Sequence, residues 1–188
     1  MKWGVEMGWI IAIGIIAVLA VIYFSMYNGL VKYRNWVDEA WAQIDVQLKR
    51  RYDLIPNLVE TVKGYAKHEQ ETLAKVVELR NQLGSKTSRQ EQMEVNDQLS
   101  GALKNLFALR EAYPDLKANE NFKMLQEELT QTENKVAYSR QLYNNTVMKY
   151  NTKVESVPTN IIASVHKFEK RDMLEAREEE RESVRVSF

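Results

Sequence analysis

The two histidines are the obvious candidates for metal chemistry in this 188-residue chain. A di-iron site in a helical bundle needs Glu-x-x-His pairs, but Tyr65 and Ala163 stand three residues before His68 and His166. His68 and Glu69 begin like the helix of a zinc protease, yet the second histidine of that motif is missing. The sequence therefore predicts no metal site and no cofactor.

Acidic residues are a second possible source of chemistry. Glu127 and Glu128 diverge by about 100° on a helix, so with Glu133 they favour a solvated face over paired catalytic carboxylates. The chain also lacks cysteine, a glycine-rich phosphate loop and a Gly-x-Ser-x-Gly elbow. These observations predict a protein that is not an enzyme.

The composition restricts both the partners and the fold. There are 26 basic and 26 acidic residues, so the formal net charge is zero, and no nucleic-acid partner bound through phosphate contacts is expected. Seven glycines and three prolines are too few for an all-β chain with many turns. We therefore predict an all-α protein.

Residues 8–27 form an uncharged and almost wholly apolar run. As a helix, about 20 residues rise roughly 30 Å, which is the thickness of the hydrocarbon layer of a membrane. A buried core helix and a cleaved signal peptide are the alternatives, and Ser25-Met26-Tyr27 lacks the small residues of a cleavage site. We predict a retained transmembrane anchor over residues 1–27, with membrane lipid as its partner. Its predicted lipid-facing residues are Trp9, Ile10, Ile13, Ile16, Leu19, Ile22 and Phe24.

The charges beside this run bear on its orientation. Lys2 and Glu6 precede it, whereas Lys32 and Arg34 follow it. The excess of basic residues on the second side favours an outside N-terminus and a cytoplasmic domain, with the opposite orientation left open.

Residues 28–176 are predicted to form one helical bundle. Apolar residues recur every three or four positions from Leu30 to Leu83, where Gly84 and a polar loop over residues 85–88 follow. Pro56 either kinks one long helix or lies in the first turn of a new helix capped by Asp53, and both interpretations stay open.

Three further helices complete this prediction. One ends by Tyr113 because Pro114 follows, and residues 115–119 form a turn. A long helix covers residues 120–151, and a short one follows Pro158 with Thr159 or Asn160 as its cap. Few long helices with short connections indicate an antiparallel bundle of the four-helix type.

Two groups of residues after the anchor indicate possible surfaces. The basic cluster Lys49-Arg50-Arg51 predicts a solvated face or an ion pair between subunits. The aromatic residues Tyr33, Trp36, Trp41 and Tyr52 fall mostly on the apolar stripe, so core packing is favoured over a ligand site. Trp36 and Trp41 are also candidate contacts in a homo-oligomer.

Residues 177–188 are predicted to be a separate charged tail. The segment 169–182 is expected to be helical only where it packs on something. Val184, Val186 and Phe188 then alternate with polar residues, which fits either a frayed end or a strand that pairs with tails of other subunits. These three residues are further candidate oligomer contacts.

Two blocks of the sequence carry a family resemblance. The first comprises Tyr27-Asn28-Gly29-Leu30-Val31, Arg34-Asn35, the segment from Val37 through Trp41 and the run of residues 44–59; the second comprises residues 119–122 and 125–129, Glu133-Asn134, Arg140, Tyr143-Asn144 and Tyr150-Asn151. The chain resembles the LemA family over nearly its whole length to about Ala176, with the charged tail outside the matched part.

This resemblance implies a bacterial inner-membrane protein with a single N-terminal span and an all-helical domain. The magnetosome protein MamQ looks like a relative, which implies a part in membrane organisation, and the family supplies no catalytic residues. We therefore expect a membrane-anchored scaffold that self-associates and organises the bacterial envelope. The alternative is an adaptor that presents its helical domain to an envelope protease or a signalling partner of unknown identity.

Overall fold

The described part of the protein is built from helices joined by short turns, with a last segment that is not helical. A computed structural model describes residues 2–85 and 88–175, and no strand occurs among these residues. The prediction of an all-α protein is therefore confirmed. The elements are α1 (Lys2–Lys63), α2 (Gln70–Ser85), α3 (Arg89–Ala108), a 3-10 turn (Leu109–Glu111), α4 (Pro114–Ala118), α5 (Glu120–Glu155) and α6 (Thr159–Val165). Val184, Val186 and Phe188 lie outside the described residues.

Helix α1 continues without a break through Pro56. A proline removes one backbone donor from a helix interior, but Ile55 and Leu58 on either side of it are completely buried. Packing of this face holds the helix across the lost hydrogen bond. The structure thus answers the question that the sequence left open, because Asp53 does not begin a new helix.

Helix α1 ends at Lys63, where the sequence predicted continuing helix. Ala66 N donates to Val62 O at 2.8 Å and Glu69 N donates to Ala66 O at 3.2 Å, which closes a turn before α2. Ala66 is fully buried within this turn. The helical spacing of apolar residues therefore runs across a turn, and the spacing alone did not reveal it.

The connections between the later helices are closed by side chains. Ser88 caps α3, since its side chain accepts a hydrogen bond from Glu91 N. Asn119 does the same for α5 by accepting from Phe122 N at 2.9 Å. Two predictions were wrong here: residues 115–119 are mostly the short helix α4, and α6 has Pro158 at its cap position, with Thr159 as its first residue.

The chain forms two compact units. Unit 1 comprises Met1–Ala40 and Tyr143–Met173, and unit 2 comprises Trp41–Leu142 and the chain from Leu174. Helices α1 and α5 each contribute residues to both units.

Unit 2 is built from the second part of α1, helices α2 to α4 and the first part of α5. Its buried core consists mainly of Ile44, Leu48, Ile55, Leu58, Val62, Val76, Leu79, Leu99, Leu103, Leu106, Phe122, Leu129 and Val136. Arg50 of α1 pairs with Glu128 of α5, and Tyr65 after α1 accepts from Asn119 before α5 at 2.9 Å. From Arg50 to Tyr65 the residue numbers increase along and just beyond α1, whereas those of the partners decrease from Glu128 to Asn119. Helices α1 and α5 therefore run in opposite directions here.

Unit 1 holds its last segment through polar side chains of α5. Asn151 pairs with Arg171 twice, donating to its carbonyl at 2.8 Å and accepting from its N–H at 2.9 Å. Tyr150 donates to Glu169 O at 2.9 Å. Residues 169–175 are not helical, although side chains of α5 hold them, so packing alone does not make this segment a helix. The side chains of α5 supply the partners that a helix would have provided internally.

Candidate functional site

The apolar segment of α1 is exposed along its length. All seven predicted anchor residues are between 44% and 69% exposed: Trp9, Ile10, Ile13, Ile16, Leu19, Ile22 and Phe24. The mean hydropathy reaches 2.5 over an 18-residue window, and none of that window is buried inside the chain. By length and composition this segment is able to cross a membrane. Such a continuous apolar surface is far larger than a soluble monomer normally exposes.

The predicted aromatic contact residues differ in their surroundings. Trp36 is 41% exposed, so the expectation that it packs in the core was wrong. Lys32 Nζ lies 4.7 Å from the centroid of the Trp36 ring, and Tyr33 meets that ring edge-on. Trp41 is half-buried in unit 2, where the Arg89 guanidinium lies 5.3 Å from its ring centroid.

Arg51 is completely buried in unit 2, so the prediction that the basic cluster is a solvated face was wrong for this residue, whereas Lys49 and Arg50 are exposed. Its Nη1 donates to Asn96 Oδ1 at 2.6 Å, and both Nη atoms donate to Ser100 Oγ at 3.0 Å. Arg50 forms its ion pair with Glu128 within the chain, and Lys49 pairs with Asp53. Arg51 is therefore the residue of this cluster that links α1 to α3 through buried hydrogen bonds.

A second arginine links α3 and α5 in the same unit. Arg140 is 4% exposed and donates through Nη2 to Asp97 Oδ1 at 2.6 Å. Its Nη1 also donates to the backbone carbonyl of Glu175 at 3.3 Å, which ties down the end of the described chain. Buried charges need such partners because their desolvation is costly.

Sequence reasoning missed this polar interior, although a signal was present. Arg51 falls between Leu48 and Ile55 on the apolar stripe of α1, and Arg140 falls between Val136 and Tyr143 on that of α5. A charged residue at a stripe position predicts a buried charge with partners on a facing helix.

Two of the open grooves on the described part of unit 2 are large. One has a volume of about 750 Å³ and lies along α3 and α5, with Glu94, Asp97, Glu133 and Glu175 among its lining residues. The other has a volume of about 930 Å³, and its lining includes Val59, Leu73 and Val77. Within the described residues, no group of three or more histidines or carboxylates is arranged to hold a metal ion.

A few groups have altered acidity. Desolvation raises the pKa of Tyr150, whose neighbours include the charges of Arg171 and Arg34. The pKa of Glu111 is lowered by a hydrogen bond and the charge of Lys117, and that of Lys170 is raised by its hydrogen bond to Glu155. Desolvation also raises the pKa of Tyr113, and its hydrogen bond to Glu69 adds to this effect. All these groups belong to structural contacts, and none of them lies beside another carboxyl group whose pKa is shifted.

Comparison with known proteins identifies the family. The chain is similar to Protein LemA of Metamycoplasma hominis, with 29% identity over 152 residues that cover 79% of this chain and 68% of that protein. The family model for LemA matches residues 40–188. This match includes the charged tail, which the sequence resemblance had left outside. The chain belongs to the LemA family.

Proposed function

We propose that this protein is a non-enzymatic, membrane-anchored helical scaffold that self-associates and organises the bacterial envelope. The observation that carries the proposal is the exposed, uncharged apolar segment of α1, which continues as helix into the packed part of the chain. Residues 8–27 span the inner membrane in this proposal, and no metal ion or cofactor takes part.

A continuous helix suits a membrane span because every backbone group in its interior is bonded within the helix. The same helix supplies Leu30 and Val37 to the core of unit 1. No flexible linker therefore separates the span from the packed residues. A rigid connection of this kind is suited to a scaffold, whose position at the membrane must be fixed.

We assign the main helices of unit 2 to an antiparallel four-helix bundle. Three contacts support this assignment beside the opposed α1 and α5. Asp97 of α3 meets Arg140 of α5, and Phe107 of α3 meets Phe122 of α5, so these helices also run in opposite directions. Arg80 of α2 stacks on Tyr52 of α1 at 3.8 Å.

The domain lies in the cytoplasm in this proposal. Lys32 and Arg34 follow the apolar segment, and basic residues are retained on the cytoplasmic side of a membrane. A kinship with the magnetosome protein MamQ belongs to the same proposal, as a second case of a helical protein that organises a membrane.

Self-association is proposed to use the exposed Trp36 face of α1. An exposed tryptophan is a frequent anchor of protein interfaces. Trp36 and Asp38 are both exposed and lie about 200° apart around α1, so they are on different sides of the helix. The two positions therefore provide a test residue and a matched control.

Cysteine crosslinking in native membranes tests this interface, because the chain has no cysteine of its own. Trp36→Cys should form disulfide-linked dimers under mild oxidation, whereas Asp38→Cys should not. The mass of the detergent-solubilised protein gives an independent measurement. A strict monomer at micromolar concentration, with no crosslinked species in membranes, would refute the scaffold.

The tail is proposed as a second contact between subunits, through Val184, Val186 and Phe188. Truncation after Ala176 should leave membrane insertion intact and reduce the particle size in native mass measurements. Unchanged assembly would exclude the tail and leave the Trp36 face and the transmembrane segment as the interface.

The two grooves of unit 2 favour an adaptor as the second candidate function. Each is large enough to receive side chains of a partner protein. Crosslinking in cells separates the two functions, since an adaptor should yield one foreign partner in fixed proportion. A scaffold should yield mainly copies of itself.

A further inference from the structure

Helix α6 and the short connection between α5 and α6 carry an exposed apolar face. Val157, Ile161 and Val165 are 79%, 62% and 68% exposed. Their spacing of four residues places Ile161 and Val165 on the same side of α6, with Val157 just before the helix. Ile162 and Ala163 are buried on its other side. Helix α6 is therefore apolar on both its inner and its outer side.

This face lies beside the last turns of the apolar segment of α1, within unit 1. Tyr23 Oη and His166 Nε2 are hydrogen-bonded at 2.6 Å, and the ring centroids of Tyr27 and His166 are 4.7 Å apart. His166 directly follows Val165 at the end of α6. The end of α6 is therefore held next to Tyr23 and Tyr27.

Phe168, two residues after His166, extends this contact along α1 from Tyr27 to Arg34. The ring of Phe168 meets that of Tyr27 edge-on at 5.9 Å, and the Arg34 guanidinium lies 5.2 Å from the Phe168 ring. Phe168 is itself buried. An aromatic contact and a cation–π contact of Phe168 fix the chain that follows α6, so the position of α6 beside α1 is set by packing.

Tyr23 and Tyr27 stand at the end of the apolar run of residues 8–27. Aromatic residues at the end of a membrane-spanning helix sit at the level of the lipid headgroups. A helix held against them occupies the same level. Lys153 and Lys167 are exposed on either side of α6, which suits a surface facing anionic headgroups.

We propose that Val157, Ile161 and Val165 form a second membrane contact, which inserts into the interfacial layer of the bilayer that α1 crosses. This inference rests on the proposed membrane span. A lipid surface is the occupant because His166, which directly follows Val165, meets Tyr23 and Tyr27 at the end of the apolar segment of α1. Two attachment points would fix the rotation of unit 1 about the axis of α1, which a single spanning helix leaves free.

Spin labels on single cysteines in the full chain test the proposal. The protein is reconstituted in nanodiscs of phosphatidylcholine and phosphatidylglycerol, and accessibility to oxygen is compared with accessibility to a water-soluble nickel chelate. Labels at Ile161→Cys and Val165→Cys report on the face of α6. Ile16→Cys reports on the span, and Met148→Cys, 51% exposed on α5 of the same unit, is the matched control.

The ratio of oxygen to nickel accessibility should be several-fold higher at positions 161 and 165 than at position 148. Equal ratios at these positions, with a lipid-exposed label at position 16, would overturn the inference and leave the span intact. A water-exposed label at position 16 would refute the span and the inference together. Low access to both reagents at position 161, with dipolar broadening, would assign the face to a second copy of the chain and overturn the lipid contact.

Discussion

The buried guanidinium of Arg51 allows a quantitative prediction of how the free energy of unfolding changes when one of its partners is removed. Its hydrogen bond to Asn96 Oδ1 at 2.6 Å is assisted by charge and closed to water. Replacing Asn96 by leucine, which is similar in size, removes the acceptor and leaves the charge buried. We expect a loss of about 3 kcal/mol in the free energy of unfolding, because a buried charge loses a partner.

Arg51→Met should cost less, about 1–2 kcal/mol, since it removes the charge together with its hydrogen bonds. Ser100 keeps a partner in that variant, because its hydroxyl also donates to Asn96 O at 3.1 Å. Arg50→Met is the matched control on the same helix. Its ion pair with Glu128 is partly exposed, and such pairs contribute less than about 1 kcal/mol.

Thermal unfolding of the full chain in detergent micelles, followed by circular dichroism, measures these effects. A loss of about 3 kcal/mol corresponds to a fall of roughly 6–12 °C in Tm for a chain of this size. The double variant Arg51→Met with Asn96→Leu pairs two apolar residues and should be more stable than Asn96→Leu alone. Equal Tm values for the Asn96 and Arg50 variants would refute the claim that Asn96 compensates a buried charge on Arg51. A double variant whose loss of Tm equals the sum of the two single losses would refute it as well.

Three further predictions concern the core, the orientation and the response to pH. Leu129→Asp should unfold unit 2 or lower its Tm severely, because a side chain only 1% exposed would become a buried charge; a melting curve within a degree or two of the parent would contradict this. A cysteine at the exposed Ser85 should resist a membrane-impermeant thiol reagent in intact cells and react after lysis, whereas prompt labelling of intact cells would place the domain outside. Burial raises the pKa of Tyr150, so its contribution to stability should be complete below the unfolded pKa of about 10 and should be lost as the pH rises from there through the folded pKa. Alkaline unfolding of Tyr150→Phe should lack this component, and an unchanged pH profile would show that the phenol does not contribute.

Local patterns in the sequence determined most of the helices. The apolar run of residues 8–27 needs no tertiary contact to be recognised, because its length and lack of charge suffice. The end of α2 after Gly84 and the beginning of α5 at Glu120 follow from local signals, and the structure confirms both within a residue. A Cβ at Gly84 would lie 3.0 Å from the Tyr52 ring, so this glycine also permits close packing of α2 on α1.

Tertiary packing decided the rest. Helix α1 continues through Pro56 because its neighbours are buried, which the chemistry of proline alone does not predict. Beyond Lys63 the helical spacing of apolar residues continues across a turn, so this spacing wrongly predicted a helix there. Side chains of α5 hold residues 169–175 in a form that is not helical. Whether a polar side chain on α1 is buried or exposed depends on the partners that the facing helix provides. Arg51 is buried because Asn96 and Ser100 of α3 meet its guanidinium, while Arg50 beside it stays near the surface, and sequence spacing alone does not reveal which partner lies across an interface.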